Sequence, residues 1–351
     1  MDRSKVLLKE AAKIKCNSLI AFEPENVFYT TGFWGEAVAI INKDGVKLIT
    51  PKLEIERAKK DSEKCEVIPT ERGSNMIEIL LSNLTNDTTC TDCNDITTFK
   101  VIEKKTELIY STEVFYHSRK IKDDNEIKIV AHTANILDKL FALCEKIIRV
   151  NVTEKYLQAT LLYEAMKMGA YPPSYKYTLS PLIVASGINS TLPHAEPTNR
   201  NIRNGDVITV DLTLRHKGYV ADATRTFAIG RISSEIRKIY GVVEEAQEAG
   251  LDAVKTGAIC GEVDNTCRSL IERKGYGKYF IHSAGHGIGL EVHERPWIRT
   301  KNKEVLEKNM IITIEPGVYI PNKFGVRIED SIVVGEKTKN LNRYTKKMII
   351  L

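Results

Sequence analysis

The residues with the most chemical promise are carboxylates set in two hairpin-like stretches. In the first, Val210-Asp211-Leu212-Thr213-Leu214-Arg215-His216-Lys217-Gly218-Tyr219-Val220-Ala221-Asp222-Ala223-Thr224, two extended runs meet at a polar turn containing Gly218. Folding about the middle of that turn sets Asp211 roughly opposite Asp222. Directly opposed side chains on paired strands have Cβ atoms ~4.5–5.5 Å apart, where like charges destabilise the pair. The second stretch runs from Thr313-Ile314-Glu315-Pro316-Gly317-Val318-Tyr319, through a turn at Pro321-Asn322-Lys323, to Gly325-Val326-Arg327-Ile328-Glu329-Asp330. Folding about Asn322 sets Glu315 facing Glu329, with Arg327 on the same face. An isolated acid in a hairpin is ordinarily a solvated surface group. Two acidic pairs on largely apolar ribbons need compensation, and a divalent cation provides it most simply.

Between the two stretches lies His282-Ser283-Ala284-Gly285-His286-Gly287-Ile288-Gly289-Leu290-Glu291-Val292-His293-Glu294. Of the seven histidines, His194, His282, His286 and His293 fall in or near motifs. His117, His132 and His216 lack a supporting motif and default to surface or loop positions. Glycines around His286 let backbone approach a crowded centre closely. The cluster lacks the Gly-Lys-Ser/Thr ending of a P-loop and the spacing of a dinucleotide fingerprint, which argues against a phosphate cradle. Asp211, Asp222, Glu315 and Glu329 with one neutral imidazole carry a formal charge of −4, which two divalent ions offset. An oxygen-rich set with one nitrogen suits Mn²⁺, Co²⁺ or Fe²⁺, and Zn²⁺ is also compatible. Paired metals lower the pKa of a shared water and so make a nucleophile at neutral pH.

These residues need a scaffold of strands and helices. The first part alternates short apolar runs with helical stretches. Strands are expected at 18–22, 37–41 and 46–50, the last two joined by the hairpin signal Asn42-Lys43-Asp44-Gly45. Helices are expected at 3–15, 52–61 and 74–84, with Glu23-Pro24-Glu25-Asn26 as a turn and 85–118 as strand and loop. A boundary near Ser118-Arg119 gives domains 1–118 and 119–351. A long amphipathic helix then begins at Asp123, and a second runs from Thr153-Glu154, an N-cap and a first-turn acid, to Gly169. Strands follow at 180–186, 206–214 and 219–228, then helices at 233–255 and 262–274. Further strands are expected at 279–284, 288–293, 311–319 and 325–334. The fold class is α/β (α+β), and the second domain reads helix-helix-strands twice, as two similar halves.

The chain has 351 residues, 42% apolar and 28% charged, which excludes a disordered or collagen-like protein. Net charge is only +5 with no long basic run, so nucleic acid is not an expected partner. No apolar stretch approaches the ~20 residues of a membrane span, and no signal h-region is visible, so a soluble cytoplasmic protein is expected. Seven cysteines, an odd count in such a chain, point to free thiols. Cys90-Thr91-Asp92-Cys93 is a lone CxxC without the second pair a metal site wants. Phe28, Tyr29, Phe33 and Trp34 are expected to pack a core or a dimer surface.

At these motifs the chain resembles the pita-bread metallopeptidases: methionine aminopeptidase, aminopeptidase P and prolidase. The matching blocks are Ile183-Val184-Ala185-Ser186-Gly187 with Pro193-His194, then Asp211–Phe227, Gly285–Glu294, Thr313–Tyr319 and Val326–Asp330. Glu25–Phe33 looks like the creatinase-like N-terminal domain of the proline-specific members, so the resemblance covers nearly the whole chain. It implies two divalent metal ions, Mn²⁺ or Co²⁺ foremost, held by Asp211, Asp222, His286, Glu315 and Glu329, with Asp222 and Glu329 shared. It implies that His194 and His293 donate hydrogen bonds to the substrate carbonyl and the developing oxyanion. His282 would position the peptide, Arg327 would pair with an acid or contact substrate, and Glu315 would carry a proton to the leaving imino nitrogen. The implied substrates are Xaa-Pro dipeptides, with longer peptides having proline second as the alternative, and the implied assembly is a homodimer. Two departures stand out. The first hairpin has Asp-Leu-Thr where many relatives carry Asp-x-Gly. Trp297 stands where some small prolidases carry an arginine, with Arg295 and Arg299 nearby, which keeps the aminopeptidase P reading open.

Overall fold

By its internal contacts the chain divides after Arg119 into units of residues 1–119 and 120–351. The computed structural model describes residues 2–351 except 73, 175–177 and 179–181, so the first two residues of the strand expected at 180–186 lie outside the described residues.

In the first unit α1 (Arg3–Ala12) leads to β1 (Ser18–Ala21), α2 (Pro24–Thr31), β2 (Val38–Asn42), β3 (Gly45–Pro51), α3 (Ile55–Asp61) and β4 (Glu66–Thr70). It continues with α4 (Ser74–Ser82), β5 (Thr89–Thr91), α5 (Ile96–Glu103), β6 (Leu108–Tyr110) and α6 (Glu113–Arg119). The strands form one mixed sheet in the order β4-β3-β2-β1-β5-β6. Ile20, Ile40, Ile49, Leu80 and Ile102 form an apolar core. Tyr29 and Phe33 are buried, and Phe28 packs on Trp34 with ring centroids 5.4 Å apart.

Three expectations are corrected here. Pro24 opens α2 at its first turn, where its fixed φ suits a helix and its missing N–H costs nothing, so residues 23–26 are a helix start. The stretch 85–118 holds two helices besides its short strands; Asp95 caps α5 by accepting from Thr98 N at 2.7 Å. Cys16 and Cys90 are joined in a disulfide, with Cα atoms 5.9 Å apart. The parallel pairing of β1 and β5, with Leu19 against Cys90, keeps the segment just ahead of β1 within reach of Cys90. Cys65, Cys93, Cys144, Cys260 and Cys267 are free thiols.

The second unit opens with α7 (Asp124–Ile147), whose capping box pairs Asp123 with Glu126, and α8 (Glu154–Lys167), capped by Thr153. β7 (Leu182–Ser186), β8 (Val207–His216) and β9 (Tyr219–Ala228) follow as an antiparallel sheet. Then come α9 (Ser234–Ala253), α10 (Cys260–Arg273), β10 (Gly285–Gly287), β11 (Glu294–Ile298) and β12 (Ile311–Ile314). β13 (Gly317–Ile320), β14 (Phe324–Arg327), β15 (Asp330–Val333) and β16 (Lys339–Asn340) complete the chain. Two helices followed by antiparallel strands thus occur twice in order. α9 and α10 bury Ile239, Val243 and Ile271 against Ile312, Ile314 and Ile328 of the strand segments that deliver the second acidic pair.

The hairpin registers decide where the acids go. Lys217 and Gly218 both have positive φ, 47° and 87°, and form a two-residue turn closed by His216 opposite Tyr219. Asp211 therefore faces Thr224 and Asp222 faces Thr213. The expected direct pairing of Asp211 with Asp222 is corrected to a diagonal on one face of the sheet. In the second ribbon Pro316 interrupts the expected continuous strand. β12 joins a five-stranded sheet (β11-β10-β12-β15-β16), whereas β13 and β14 form a separate ribbon. Ile314 pairs with Asp330 on one side of the break and Gly317 with Arg327 on the other, so Glu315 stays level with Glu329. The strands expected at 279–284 and 288–293 are instead a short 3-10 turn, loops, and the three-residue β10 between them. Gly285 and Gly287 explain this. A Cβ on either would collide with the Thr313 or Arg295 carbonyl, so the segment pairs by close backbone approach, without alternating side chains.

Candidate metal centre

The three-stranded sheet and the second ribbon meet through Thr224 and Glu329, which form a bridge between otherwise separate strand pairs. Arg225 locks this junction from behind. Its guanidinium donates to the carbonyls of Thr224, Glu329, Thr345 and Tyr344, and to Asp330 Oδ1 at 2.7 Å. His286 arrives on β10, paired with Trp297 of β11 and held by donation from its backbone N–H to Thr313 Oγ1 at 3.2 Å. Buried Glu294 closes the loop after it, accepting from the backbone N–H of Leu290 and Glu291 while pairing with buried Lys122 at 3.1 Å.

Asp222, His286 and Glu329 are buried, and each offers one ligand atom within 4.8 Å of the others. Glu315 adjoins this group, its Oε1 3.7 Å from His286 Nε2. Asp211 lies against Arg327, whose Nη2 donates to Asp211 Oδ2 at 2.7 Å. All five line one cavity of about 280 Å³, together with His194, His282, His293, Trp297 and Arg327. The structure thus brings every sequence-derived candidate to one cavity, while its tightest group leaves out Asp211 and Glu315.

The charges in this cavity are frustrated. Burial, then the Glu329 and Asp211 charges, hold the Asp222 carboxyl well above the carboxylate range. Burial and Glu329 do the same to Glu315. Burial and Asp211 push Glu329 up to about 8. Glu329 Oε1 and Asp211 Oδ1 are buried without a hydrogen-bond partner among the described residues. His286 Nδ1 lies 3.0 Å from the Gly287 carbonyl, so it carries the proton, and the Nε2 lone pair faces the Glu315 carboxylate. Burial, then His293, pushes this imidazole far below its ordinary pKa, so it is neutral. Oxygen lone pairs without donors and a neutral nitrogen aimed at a carboxylate make a donor set that a hard or borderline divalent cation fits.

Sequence reasoning missed several groups around this set. Thr213 Oγ1 donates to Asp222 Oδ1, and Thr224 Oγ1 to Glu329 Oε2, both at 2.8 Å. Each hydroxyl fixes one carboxylate oxygen and leaves the other for a ligand. Tyr319 is another. Its hydroxyl accepts from Arg327 Nη1 at 2.7 Å and donates to His282 Nε2 at 2.9 Å, while His282 Nδ1 donates to the Ser283 carbonyl at 2.8 Å. Burial and then Arg327 push His282 down to about 3, in keeping with this neutral, singly donating ring. Both His282 nitrogens are thereby engaged within the chain, and the ring braces the Tyr319 hydroxyl. Arg327 makes an ion pair with Asp211. His293 stacks on Trp297 (ring centroids 5.8 Å apart) and meets His286 edge-on at 4.3 Å; burial and then His194 push it down to about 4. His117 and His132 are on helices, and His216 bonds the Gly169 carbonyl at 2.7 Å. The spacing Asp-x-Thr on each strand is the available signal for the threonines; nothing local marks Tyr319.

Residues 128–336 match metallopeptidase family M24, and residues 3–121 match the creatinase/prolidase N-terminal domain. The chain belongs to metallopeptidase family M24. A Xaa-Pro dipeptidase from Pyrococcus furiosus is 34% identical over 99% of each chain. A solved Xaa-Pro dipeptidase from Bacillus anthracis superposes with a TM-score of 0.93 at 32% identity, over 100% of this chain and 99% of that one. A solved X-Pro aminopeptidase from Thermotoga maritima gives a TM-score of 0.87 at 31% identity, over 98% and 100%. An M24 metallopeptidase with a creatinase-type N-terminal domain is what the α/β elements of both units build. In the described residues no helix is long and apolar enough to cross a membrane.

Proposed function

We propose that this M24 protein is a dinuclear, metal-dependent Xaa-Pro dipeptidase. The observation that carries the reading is the buried Asp222-His286-Glu329 group, with its mutual range of 4.8 Å, beside acids whose oxygens lack donors. Asp211, Asp222, His286, Glu315 and Glu329 would hold two divalent ions, Mn²⁺ or Co²⁺ by the donor set and the resemblance, with Fe²⁺ or Zn²⁺ also compatible. Such ions supply Lewis-acid polarisation and an acidified water as nucleophile.

The chain's own groups do the rest. His293, neutral at pH 7 because burial and then His194 lower its pKa, offers a single N–H to the scissile carbonyl oxygen, and its stacking on Trp297 fixes the ring. His194, on the cavity wall, is the second donor toward the developing oxyanion. Glu315 takes the proton from the attacking water and gives it to the proline nitrogen as the C–N bond breaks, so the tertiary amide leaves as a secondary amine. Arg327 neutralises Asp211 and, through Tyr319 and His282, holds one wall of the cavity in a single arrangement. Proline's missing N–H and fixed φ are then no obstacle, since none of the roles given to the described residues requires a donor from the proline nitrogen.

The experiment is thorough chelation followed by metal return. Hydrolysis of Ala-Pro is expected to vanish and to be restored by Mn²⁺ or Co²⁺; activity that survives chelation overturns the metal reading. One observation favours cleavage of longer peptides, as an aminopeptidase P would perform. A second cavity, lined by Arg268, Arg299 and Thr300, shares His282, Ser283 and Trp297 with the walls of the site. Comparing Ala-Pro with Ala-Pro-Ala discriminates: efficient cleavage of the tripeptide favours the aminopeptidase. The reading extends to a cytoplasmic homodimer, tested by sedimentation for the dimer. For the compartment, the thiol state of Cys16 and Cys90 in extracts quenched with an alkylating agent is the test.

A further inference from the structure

Glu154 is a buried acid outside the metal centre that accepts six hydrogen bonds, and the proposed reaction leaves it unused. It stands at the first position of α8 with no exposed surface. Its Oε1 accepts from the backbone N–H of Ser186 at 2.6 Å and from Ser186 Oγ at 2.7 Å. Its Oε2 accepts from the backbone N–H of Thr198 at 2.9 Å and from Thr198 Oγ1 at 2.7 Å. Asn189 Nδ2 lies between, 3.1 and 3.0 Å from the two oxygens. Ser186 is the last residue of β7, and Thr198 lies four residues past His194. One carboxylate therefore grips both feet of the loop whose far side carries His194 into the cavity.

Besides bonds from Arg200 to Ser186 Oγ and from Lys155 N to the Thr198 carbonyl, the loop is tied to the second ribbon at two places among the described residues. Gly325 N donates to Ser190 Oγ at 2.8 Å, and Arg327 Nη1 donates to the Pro193 carbonyl at 3.2 Å. These set how close the loop comes to the ribbon. The feet set where along the ribbon His194 falls. We propose that Glu154 is a positioning residue for His194, acting by holding both feet of the 186–198 loop so that the imidazole sits in register with the metal-ligand cluster. The inference rests on the role proposed for His194 as an oxyanion donor.

The chemistry of the clip makes a sharp test available. Both carboxylate oxygens face backbone N–H groups, which cannot turn away, so glutamine at this position must set its amide N–H₂ against one foot. For Glu154→Gln, kcat on Ala-Pro is expected to fall about 10- to 100-fold, the scale of a displacement near 1 Å at a reacting centre. Bound metal should stay at the wild-type level, because Asp222, His286 and Glu329 lie on other elements. In metal-free protein the His194 ring ¹H–¹⁵N signals, assigned by their absence in His194→Ala, should shift. In a His194→Ala background the added Glu154→Gln should cost less than about twofold, since residues acting through one another are not additive. Thr198→Val, which keeps the backbone foot but removes the hydroxyl and its bonds to Glu154 Oε2, Asn189 Nδ2 and Arg200 N, should lose rate less and show the same non-additivity, and it serves if Glu154→Gln fails to fold. A full multiplicative loss in the double variant, loss of metal, or an unchanged kcat in Glu154→Gln overturns the proposal while leaving the peptidase reading intact. An unimpaired His194→Ala enzyme overturns both the proposal and the oxyanion role assigned to His194.

Discussion

Thr224 and Glu329 grip each other three times across two strand pairs. Each backbone N–H donates to the other's carbonyl, at 3.4 and 3.1 Å, and the Thr224 hydroxyl donates to Glu329 Oε2 at 2.8 Å. The same hydroxyl accepts from Arg327 Nε at 3.1 Å, so one threonine orients both a ligand carboxylate and the cation that neutralises Asp211. Replacing Thr224 with valine keeps the shape and deletes both bonds. Mn²⁺ affinity is expected to drop about 10- to 100-fold, the usual cost of losing an outer support of a metal site. Titration calorimetry on the metal-free protein checks this, and unchanged affinity would show that Glu329 is held without the hydroxyl.

Glu329→Ala and His293→Ala separate holding from catalysis. The first removes a ligand and should lose bound metal, read by elemental analysis. The second should keep metal and lose about 10²- to 10³-fold in kcat, the effect of deleting one transition-state donor. Equal metal loss in the two variants would assign His293 to the wrong task.

Metal-free protein should lose stability as pH rises through the neutral range. Burial and then the Asp211 charge raise Glu329 from its ordinary 4.5 to about 8, so the folded state holds this proton more tightly than the unfolded chain does. The resulting stabilisation is complete below pH ~4.5 and fades toward pH ~8. Relative to Glu329→Gln, which cannot ionise, the wild-type melting temperature should therefore fall between pH 5 and 8 in the presence of chelator. A gap that stays constant across that range would contradict the electrostatic picture.

Arg225 is buried with all its donors engaged, two of them on the backbone carbonyls of Thr224 and Glu329. Arg225→Ala removes the buried cation nearest Asp330, which keeps Gln247, Asn340 and the more distant Lys346 (4.0 Å), and strips four carbonyls of a donor, so denaturant titration should show a loss of about 3–5 kcal/mol. Arg225→Lys should recover little of it, because one ammonium cannot reach five acceptors arranged around a planar fork. A loss under 1 kcal/mol would mean that the junction is held by its strands alone.

Much of the site is legible in the amino-acid sequence. The acids at 315 and 329 can be matched because the turn at Asn322 has one plausible centre, and the register on both sides of Pro316 agrees with it. The first hairpin comes out wrong by a diagonal because Lys217-Gly218 reads as a loose polar turn. Its two positive φ values make it a tight two-residue one, and that fixes Asp211 opposite Thr224. β10 escapes a pattern-based reading because glycine carries no side chain for a periodicity to register; its position comes from the Thr313 and Arg295 carbonyls, which lie far along the chain. Glu154 reads as an ordinary first-turn acid, since helix-dipole logic accounts for such a residue and nothing local signals the loop it grips. The Cys16–Cys90 bond depends on the parallel pairing of distant strands, which no cysteine count supplies.

The turn at residues 321–323 looks like any exposed loop, where insertions are ordinarily harmless. Here its length sets the phase of everything from Ile311 to Val333, because the paired segments on both sides of Pro316 share one register. Adding or deleting a single residue there would rotate Glu315 or Glu329 onto the opposite side of the backbone. The tip is thus frozen in size, like a spacer cut to measure, and Asn322 at φ 61° narrows its middle residue to types that tolerate the left-handed region.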